Sequence, residues 1–393
     1  MKIGIITQYY NSSNYGGLLQ AYALSTFLIN QGYETEQICF NFYSKKRSST
    51  SSLKVSLKHG RTLKNLLLFI KRISLDKPLS ILFHANKKIA TRKNSCKYFR
   101  EKIIHHSKKI YDNDTIRECQ EYDTLITGSD QVWLCNVKQF HPGFWLTFAD
   151  EKIKKISYAA SISMNAIPEE LHNFIRNALS SFSAISVRER SDVSLIGDII
   201  GPSKKIRCVL DPTFLLKRVE WEALCEKNPC HEQKYIFAYL LGSKKEDRAF
   251  IKNFAKKTGL KVVFVPYMQN QYKSCDNFFG DIQLYDVSPQ LFLSLIRDAT
   301  YVFTDSFHGT VFSNIFHIEY FVLKRHLDQS VNSMNSRLYT LLNMLNMQDR
   351  IISNASDYDS LLNMSKINFN HIDKVIEDER NKSIDFLLNS LES

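Results

Sequence analysis

The sequence has no long hydrophobic run. The longest, Leu66–Ile70, is far shorter than the stretch of about 18 apolar residues that a membrane-spanning helix needs. Met1–Gln8 (MKIGIITQ) is typical of a first β-strand and not of a signal peptide, because no small-residue cleavage site follows a long apolar core. We therefore expect a cytoplasmic protein that no helix anchors across a membrane.

Paired cysteines are also missing. Eight cysteines are scattered along the chain, and no two of them form a C-x-x-C motif. This spacing argues against a zinc site and against a disulfide framework, so we expect reduced and mostly buried thiols. The sequence shows no His/Asp/Glu spacing of a metal site and no serine in a nucleophile elbow. It therefore predicts no resident metal or cofactor.

The glycine pattern of a dinucleotide-binding loop is absent as well. Lys2–Thr7 is predicted to be a strand, Leu18–Asn30 a helix and Glu34–Phe40 a second strand, which together form a βαβ unit of a parallel sheet. The loop before the helix contains only the adjacent glycines Gly16 and Gly17. We do not predict NAD binding from it, but we expect a ligand at the carboxyl end of the first strand.

Positive charge is concentrated in one segment. The 393-residue chain has a formal charge of +12, and residues 45–109 hold 19 Lys and Arg against two acids, so this segment carries +17 and the rest −5. Within it, Arg61–Ile73 places its leucines and isoleucines on one helical face. This basic amphipathic helix either lies on an anionic membrane surface or packs on the domain as an arm. Nucleic-acid binding is not expected, because no aromatic-rich sheet or recognition helix accompanies the charge.

The length of the chain predicts two domains. Strands and helices alternate in both halves, and a polar stretch at 217–231 separates them. We predict a Rossmann-like domain at 1–215 with a basic helical insert at about 45–109, a second Rossmann-like domain at 230–370, and a helix at 371–393 that packs back on the first domain. The predicted fold class is α/β, with two parallel-sheet domains that face a cleft in a glycosyltransferase-B-like arrangement.

The segment Tyr301–His317 joins a short apolar strand to a helix. Ser306 can cap the helix start, and His308 lies beside the free N–H groups of the first turn. A histidine at this place can face an anion, helped by the positive end of the helix dipole. Gly309 lets the backbone approach closely.

Three more polar clusters follow predicted strands: Asn14–Gly17, Gly128–Trp133 and Arg188–Arg190. In two facing sheets such strand ends line one cleft, whose groups suit an anionic donor and a polar acceptor. Arg188 can bind a carboxylate or phosphate through its fork, and His308 can exchange a proton near neutral pH. Asp130 can hold or deprotonate a hydroxyl. The residues predicted to contact the acceptor are Asn14, Tyr15, Gly16, Gln131 and Trp133.

Six ordered segments resemble the polysaccharide pyruvyl transferase family: NYGGLLQAYAL, ITGSDQVW, SVRER, VLDPTFLL, TDSFHGTVFSNIF and the NSR that ends at Arg337. The resemblance covers nearly the whole chain except the basic insert and the C-terminal end. It implies transfer of a pyruvyl group from phosphoenolpyruvate onto a sugar of a cell-surface polysaccharide, such as a capsule, or of its lipid-linked precursor. A cyclic ketal forms across two hydroxyls, and phosphate is released without a metal.

The resemblance also implies residue roles. Arg188 binds the anionic groups of the donor, His308 binds the donor and protonates its methylene carbon, and Asp130 is the candidate base for the sugar hydroxyl. The other residues predicted to bind the donor are Ser306, Gly309 and Arg337. An acceptor carried on a membrane lipid would fit the basic insert and would place the protein at the inner face of the membrane.

One departure from the family pattern concerns Ser306, since some members have an arginine two residues before the histidine. Arg337 or Arg325 could supply the missing cation. The main alternative is a sugar-nucleotide-dependent glycosyltransferase of the same fold, which would use an acid near His308 to hold the ribose. The nearest acid after Asp305 is Glu319, past the helix, and this favours phosphoenolpyruvate. A non-catalytic surface-binding module is the third possibility.

Overall fold

Two parallel β-sheets form the framework of the protein. The computed structural model describes residues 1–42, 84–136, 140–268, 273–325, 335–352 and 358–392. The basic helix predicted at Arg61–Ile73 lies outside the described residues. The two sheets confirm the predicted α/β fold class and its glycosyltransferase-B-like arrangement.

The described strands of the first sheet lie in the order β3-β2-β1-β4-β5-β6-β7, and all pairs are parallel. The strands are β1 Lys2–Ile6, β2 Glu34–Asn41, β3 His106–Asp112, β4 Thr124–Thr127, β5 Lys154–Ala160, β6 Ala184–Val187 and β7 Ile206–Cys208. The helices of this half are α1 Tyr15–Asn30, α2 Ala85–Tyr98, α3 His172–Ser180, α4 Arg190–Ile200 and α5 Arg218–Leu224. The strand order reverses between β1 and β4, where a doubly wound sheet leaves a crevice for a ligand.

The described strands of the second sheet lie in the order β10-β9-β8-β11-β12-β13, again all parallel. They are β8 Tyr235–Tyr239, β9 Lys261–Phe264, β10 Ile282–Gln283, β11 Tyr301–Thr304, β12 Glu319–Leu323 and β13 Ile351–Ile352. The helices are α6 Lys245–Thr258, α7 Pro289–Arg297, α8 Phe307–Ile315, α9 Ser336–Met344, α10 Tyr358–Leu362 and α11 Phe369–Glu392. This sheet reverses its order between β8 and β11.

Side-chain caps explain where the helices α1 and α8 begin. The Asn14 side chain accepts a hydrogen bond from the Gly16 amide at 3.1 Å, so α1 starts at Tyr15 and not at Leu18 as predicted. The Ser306 hydroxyl accepts a hydrogen bond from the Gly309 amide at 3.3 Å, which confirms the predicted start of α8. Both caps satisfy amides that a helix start leaves unbonded.

The insert does not stay apart from the first sheet. Its last residues form β3, which pairs with β2, although we had predicted them as part of a helical insert. Three successive residues of β3, from Lys108 to Ile110, are exposed, so the strand lacks the alternating pattern that marks a half-buried strand. Upstream, α2 reaches the second domain, where Arg92 donates to the Pro266 carbonyl at 3.3 Å.

The two sheets share one buried hydrophobic cluster. Tyr15 of α1 stacks on Phe292 of α7 with ring centroids 4.3 Å apart. The helix α11 returns to the first domain, where the Ser383 hydroxyl accepts a hydrogen bond from the Leu210 amide at 2.9 Å. The domains are therefore joined by packing as well as by the chain.

The structure also bears on the expectations about buried thiols and membrane-spanning helices. All eight cysteines are free, and five are buried, which agrees with the prediction of mostly buried thiols. Among the described residues, no helix is long and apolar enough to cross a membrane.

Candidate functional site

Four polar side chains meet between the carboxyl ends of the two sheets. Asp130 follows β4, Arg188 follows β6, Asp211 follows β7, and His308 lies in the first turn of α8. Arg188 Nη1 is 2.8 Å from Asp211 Oδ2, and Arg188 Nη2 is 3.5 Å from Asp130 Oδ1. His308 Nε2 is 3.7 Å from Asp211 Oδ2. The structure thus brings together three side chains that the sequence predicted and one, Asp211, that it did not.

Arg188 is almost completely enclosed. Its side chain is 3% exposed, its Nε lies 2.9 Å from Glu189 Oε1, and its guanidinium covers the Phe307 ring at 4.4 Å. Burial by itself lowers the pKa of Arg188, but the charges of Glu189, Asp211 and Asp130 outweigh it and raise the pKa. Its Nη2 nitrogen has no hydrogen-bond partner among the described residues. The guanidinium is therefore a permanent cation, and its Nη2 forms an ion pair with Asp130 without a hydrogen bond.

Asp211 connects the arginine and the histidine. Its Oδ1 accepts hydrogen bonds from the Thr213 amide and hydroxyl at 3.1 and 2.7 Å, so the carboxylate is held in a fixed orientation. Burial favours a higher pKa for Asp211, but His308 and Arg188 together hold it well below the usual range. The VLDPTFLL segment contained Asp211, yet nothing in its local pattern showed that its carboxylate faces His308.

Arg337 approaches the same place from α9. Its Nη1 lies 3.9 Å from Asp130 Oδ1, and its side chain is 11% exposed. Burial, followed by the charges of Arg188 and Arg325, lowers the pKa of Arg337 to about 10. Because crowded cations disfavour one another's charge, an anion bound among them would be stabilised by all three.

A cavity of about 410 Å³ opens beside this cluster, a size that suits a small ligand. Arg188, Asp211, Phe307 and Arg337 are among the residues that line it. The exposed Arg190 and Arg207 also line it, so its wall carries four arginines against two acids. The excess of positive charge favours an anionic ligand.

The chain matches the family model for polysaccharide pyruvyl transferases over residues 14–326. The chain belongs to this family. Membership confirms the resemblance found in the sequence and shows a transferase that acts on a polysaccharide. No curated protein sequence matches the chain significantly.

Solved structures similar to this pyruvyl transferase family member are distant in sequence. A UDP-GlcNAc 2-epimerase from Methanocaldococcus jannaschii shares 11% identity with a TM-score of 0.48, covering 96% of this chain and 92% of that one. The E. coli heptosyltransferase WaaC with ADP shares 11% identity with a TM-score of 0.38, covering 96% of this chain and 100% of that one.

Two of the predicted acceptor contacts of this family member, Tyr15 and Trp133, have buried side chains. Tyr15 is completely buried and donates its hydroxyl to the Val287 carbonyl at 2.9 Å. Trp133 is also completely buried, stacks on Trp145 with centroids 4.7 Å apart, and donates its indole N–H to the Phe144 carbonyl. Both side chains are therefore engaged within the protein, and their contact with an acceptor stays a prediction.

Asn14 and Gln131 remain at the edge of the site, and both are half-buried. The oxygen of the Asn14 side chain caps α1. The main-chain carbonyl of Gln131 accepts a hydrogen bond from Gln8 Nε2 at 2.8 Å. Their contact with an acceptor stays a prediction. Among the described residues, no group of three or more His, Cys, Asp or Glu is arranged to hold a metal ion.

Two glycines allow the close approach of His308 and its helix. A Cβ atom added to Gly16 would lie 2.0 Å from His308 Nδ1, so the ring packs directly on the backbone of α1. A Cβ atom added to Gly309 would lie 2.6 Å from Thr304 Oγ1, which keeps α8 against the end of β11. The position of His308 therefore depends on glycine in both domains.

We expect Gly16→Ala to lower pyruvyl transfer by about 10²-fold, because the added methyl group displaces the His308 ring and small misplacements of catalytic groups have effects of this size. Initial rates of pyruvyl transfer measure the effect. The matched control is Gly197→Ala in α4, where an added Cβ meets no atom within 4 Å. This control should keep the rate and gain about 0.5–1 kcal/mol in the free energy of unfolding. Equal rates in the two variants would contradict the position assigned to His308.

Proposed function

We propose that the protein transfers a pyruvyl group from phosphoenolpyruvate to two neighbouring hydroxyls of a sugar. The sugar belongs to a cell-surface polysaccharide or to its lipid-linked precursor, and the products are a cyclic ketal and inorganic phosphate. Family membership supports pyruvyl transfer in general. The observation that carries the choice of donor is the buried cluster of Arg188, Arg337 and His308 beside the cavity, in which Arg188 Nη2 and His308 Nε2 lack hydrogen-bond partners among the described residues.

In this proposal, some residues of the cluster bind the donor and others bind the acceptor. Arg188 and Arg337 bind the phosphate and carboxylate of the donor and stabilise the phosphate as it leaves. Arg337 thus takes the place of the arginine that Ser306 replaces. Asp130 Oδ1 faces the two guanidinium groups, and we assign Oδ2 to the acceptor hydroxyl.

The reaction begins when His308 gives a proton to the methylene carbon, which becomes a methyl group and leaves an oxocarbenium-like centre at the neighbouring carbon. The carboxylate of Asp211 stabilises the positive charge of the imidazole before this transfer. The first sugar hydroxyl attacks the centre and loses its proton to Asp130. The carbon–oxygen bond to phosphate then breaks. The second hydroxyl attacks the carbon that the phosphate has left and closes the ring, and its proton leaves with the phosphate. The proton on Asp130 then returns to His308 through solvent.

We expect Arg337→Ala to weaken phosphoenolpyruvate binding by about 10- to 100-fold, the loss that follows from removing a charged hydrogen-bond donor. Isothermal titration calorimetry of the purified protein measures the dissociation constant. Arg207→Ala is the matched control, because Arg207 lines the same cavity but is exposed, and it should change the affinity less than Arg337→Ala. Unchanged binding in Arg337→Ala would contradict the donor site, and saturable binding of nucleotide sugars alone would contradict the reaction.

A further inference from the structure

Asp305 lies where the second sheet reverses its order, between the ends of β8 and β11. Its Oδ1 accepts a hydrogen bond from the Leu241 amide and its Oδ2 accepts one from the Gly242 amide, each at 2.6 Å. Asp305 is 3% exposed. One carboxylate therefore binds two successive main-chain amides in the turn that follows the first strand of this sheet.

The carbonyl groups of the same turn are bound by cations. Arg248 Nη2 donates to the Gly242 carbonyl at 2.8 Å, and Lys273 donates to the Leu241 carbonyl. Arg248 is itself fixed by Asp276 at 2.6 Å. The turn is thus held from both sides, with its amides directed at Asp305 and its carbonyls directed at Arg248 and Lys273.

The turn also closes tightly on the carboxylate. A Cβ atom added to Gly242 would lie 2.8 Å from Asp305 Oδ2 and 3.2 Å from Arg325 Cγ. Glycine is therefore needed for the close contact between backbone and carboxylate.

Main-chain amides in the first turn of a doubly wound domain usually bind an anionic group of a ligand, such as the diphosphate of a nucleotide. In this protein the carboxylate of Asp305 takes the place of that anionic group. We propose that Asp305 is a specificity-determining residue that occupies the amides of Leu241 and Gly242 and so excludes the diphosphate of a nucleotide sugar. The inference rests on the proposed function only in placing the true donor elsewhere, among Arg188, Arg337 and His308.

The experiment compares wild type with Asp305→Ala by calorimetric titration with inorganic pyrophosphate and with UDP. Wild type should bind neither probe saturably at this turn. Asp305→Ala should bind both at least about tenfold more tightly than wild type, because two amide donors beside Arg248 and Lys273 become free. Asp298→Ala is the matched control, since it removes a carboxylate of the same domain that lies before β11 and bonds Asn228 and Arg297. It should leave the binding of both probes unchanged.

Formate gives a second readout that a general loss of stability would not produce. It matches the carboxylate group that the substitution removes, so it should raise the melting temperature of Asp305→Ala and leave those of wild type and Asp298→Ala unchanged. If Asp305→Ala folds poorly, formate or pyrophosphate should restore its cooperative unfolding transition. Failure of both to do so would overturn the proposal.

Two binding results would also overturn the proposal. One is a folded Asp305→Ala variant that binds pyrophosphate no better than wild type. The other is wild-type protein whose NMR signals from the Leu241 and Gly242 amides shift when UDP is added. These measurements contain neither phosphoenolpyruvate nor an acceptor. A failure of pyruvyl transfer would therefore leave their outcome unchanged.

Discussion

Replacing His308 with glutamine should lower kcat for pyruvyl transfer by about 10²- to 10⁴-fold, the usual contribution of a positioned proton donor. Glutamine keeps a polar group against Gly16 and Asp211 but cannot protonate the methylene carbon of phosphoenolpyruvate. The measurement is phosphate release under saturating donor, with the acceptor identified from a panel of glycans. The affinity for the donor should fall by a much smaller factor than kcat, because Arg188 and Arg337 remain.

His317→Gln provides the matched control for this experiment. His317 follows α8, and its Nε2 lies 2.9 Å from the carboxylate of Asp373, outside the cluster. This control should keep the rate of the wild type. A His308→Gln variant that binds phosphoenolpyruvate and retains the wild-type kcat would show that the proton comes from another group.

Arg188→Ala should lower the free energy of unfolding by about 3–5 kcal/mol, the loss typical when one partner of a buried ion pair is removed. Its side chain is 3% exposed, and its removal leaves the buried carboxylates of Glu189 and Asp211 without their guanidinium. Urea denaturation of the purified protein, followed by circular dichroism, measures the loss. The variant is expected to be less stable because of the unpaired carboxylates, whatever ligand Arg188 binds.

Arg218→Ala is the comparison for Arg188. Arg218 is paired with Glu222 on the surface of α5, at 44% exposure, and an exposed pair of this kind contributes about 0–1 kcal/mol. Similar losses in the two variants would contradict the buried network around Arg188. Because Arg188→Ala perturbs the fold, reduced donor binding in that variant does not identify a donor contact, and Arg337→Ala is the sharper probe.

Features that depend on local sequence were predictable. The strand Tyr301–Thr304, the cap at Ser306 and the histidine after it follow from neighbouring residues, and the structure contains them in that order. The parallel sheets follow from the alternation of apolar strands and helices. Capping and periodicity act over a few residues, which is why a single sequence reveals them.

Features that depend on distant residues were not predictable. Tyr15 looked available in a polar loop, but its ring fits against Phe292 of the other domain. Asp211 was part of the VLDPTFLL segment without a predicted role, and only the fold shows that its carboxylate meets Arg188 and His308. The edge strand β3 could not be predicted because three successive residues face solvent, and only its pairing with β2 reveals it. In each case the deciding partner lies far away in the chain.

The packing of α11 has a consequence for biosynthesis. During translation, β1–β7 leave the ribosome long before Ser383, whose hydroxyl receives the Leu210 amide, and before Leu391, whose carbonyl receives Lys154 Nζ at 3.0 Å. The aromatic partners of Tyr15 in the described part of the chain, Tyr239 and Phe292, are likewise made only with the second domain. The nascent first domain therefore exposes apolar surface until the second domain is complete, and the chain should depend on chaperones during most of its synthesis.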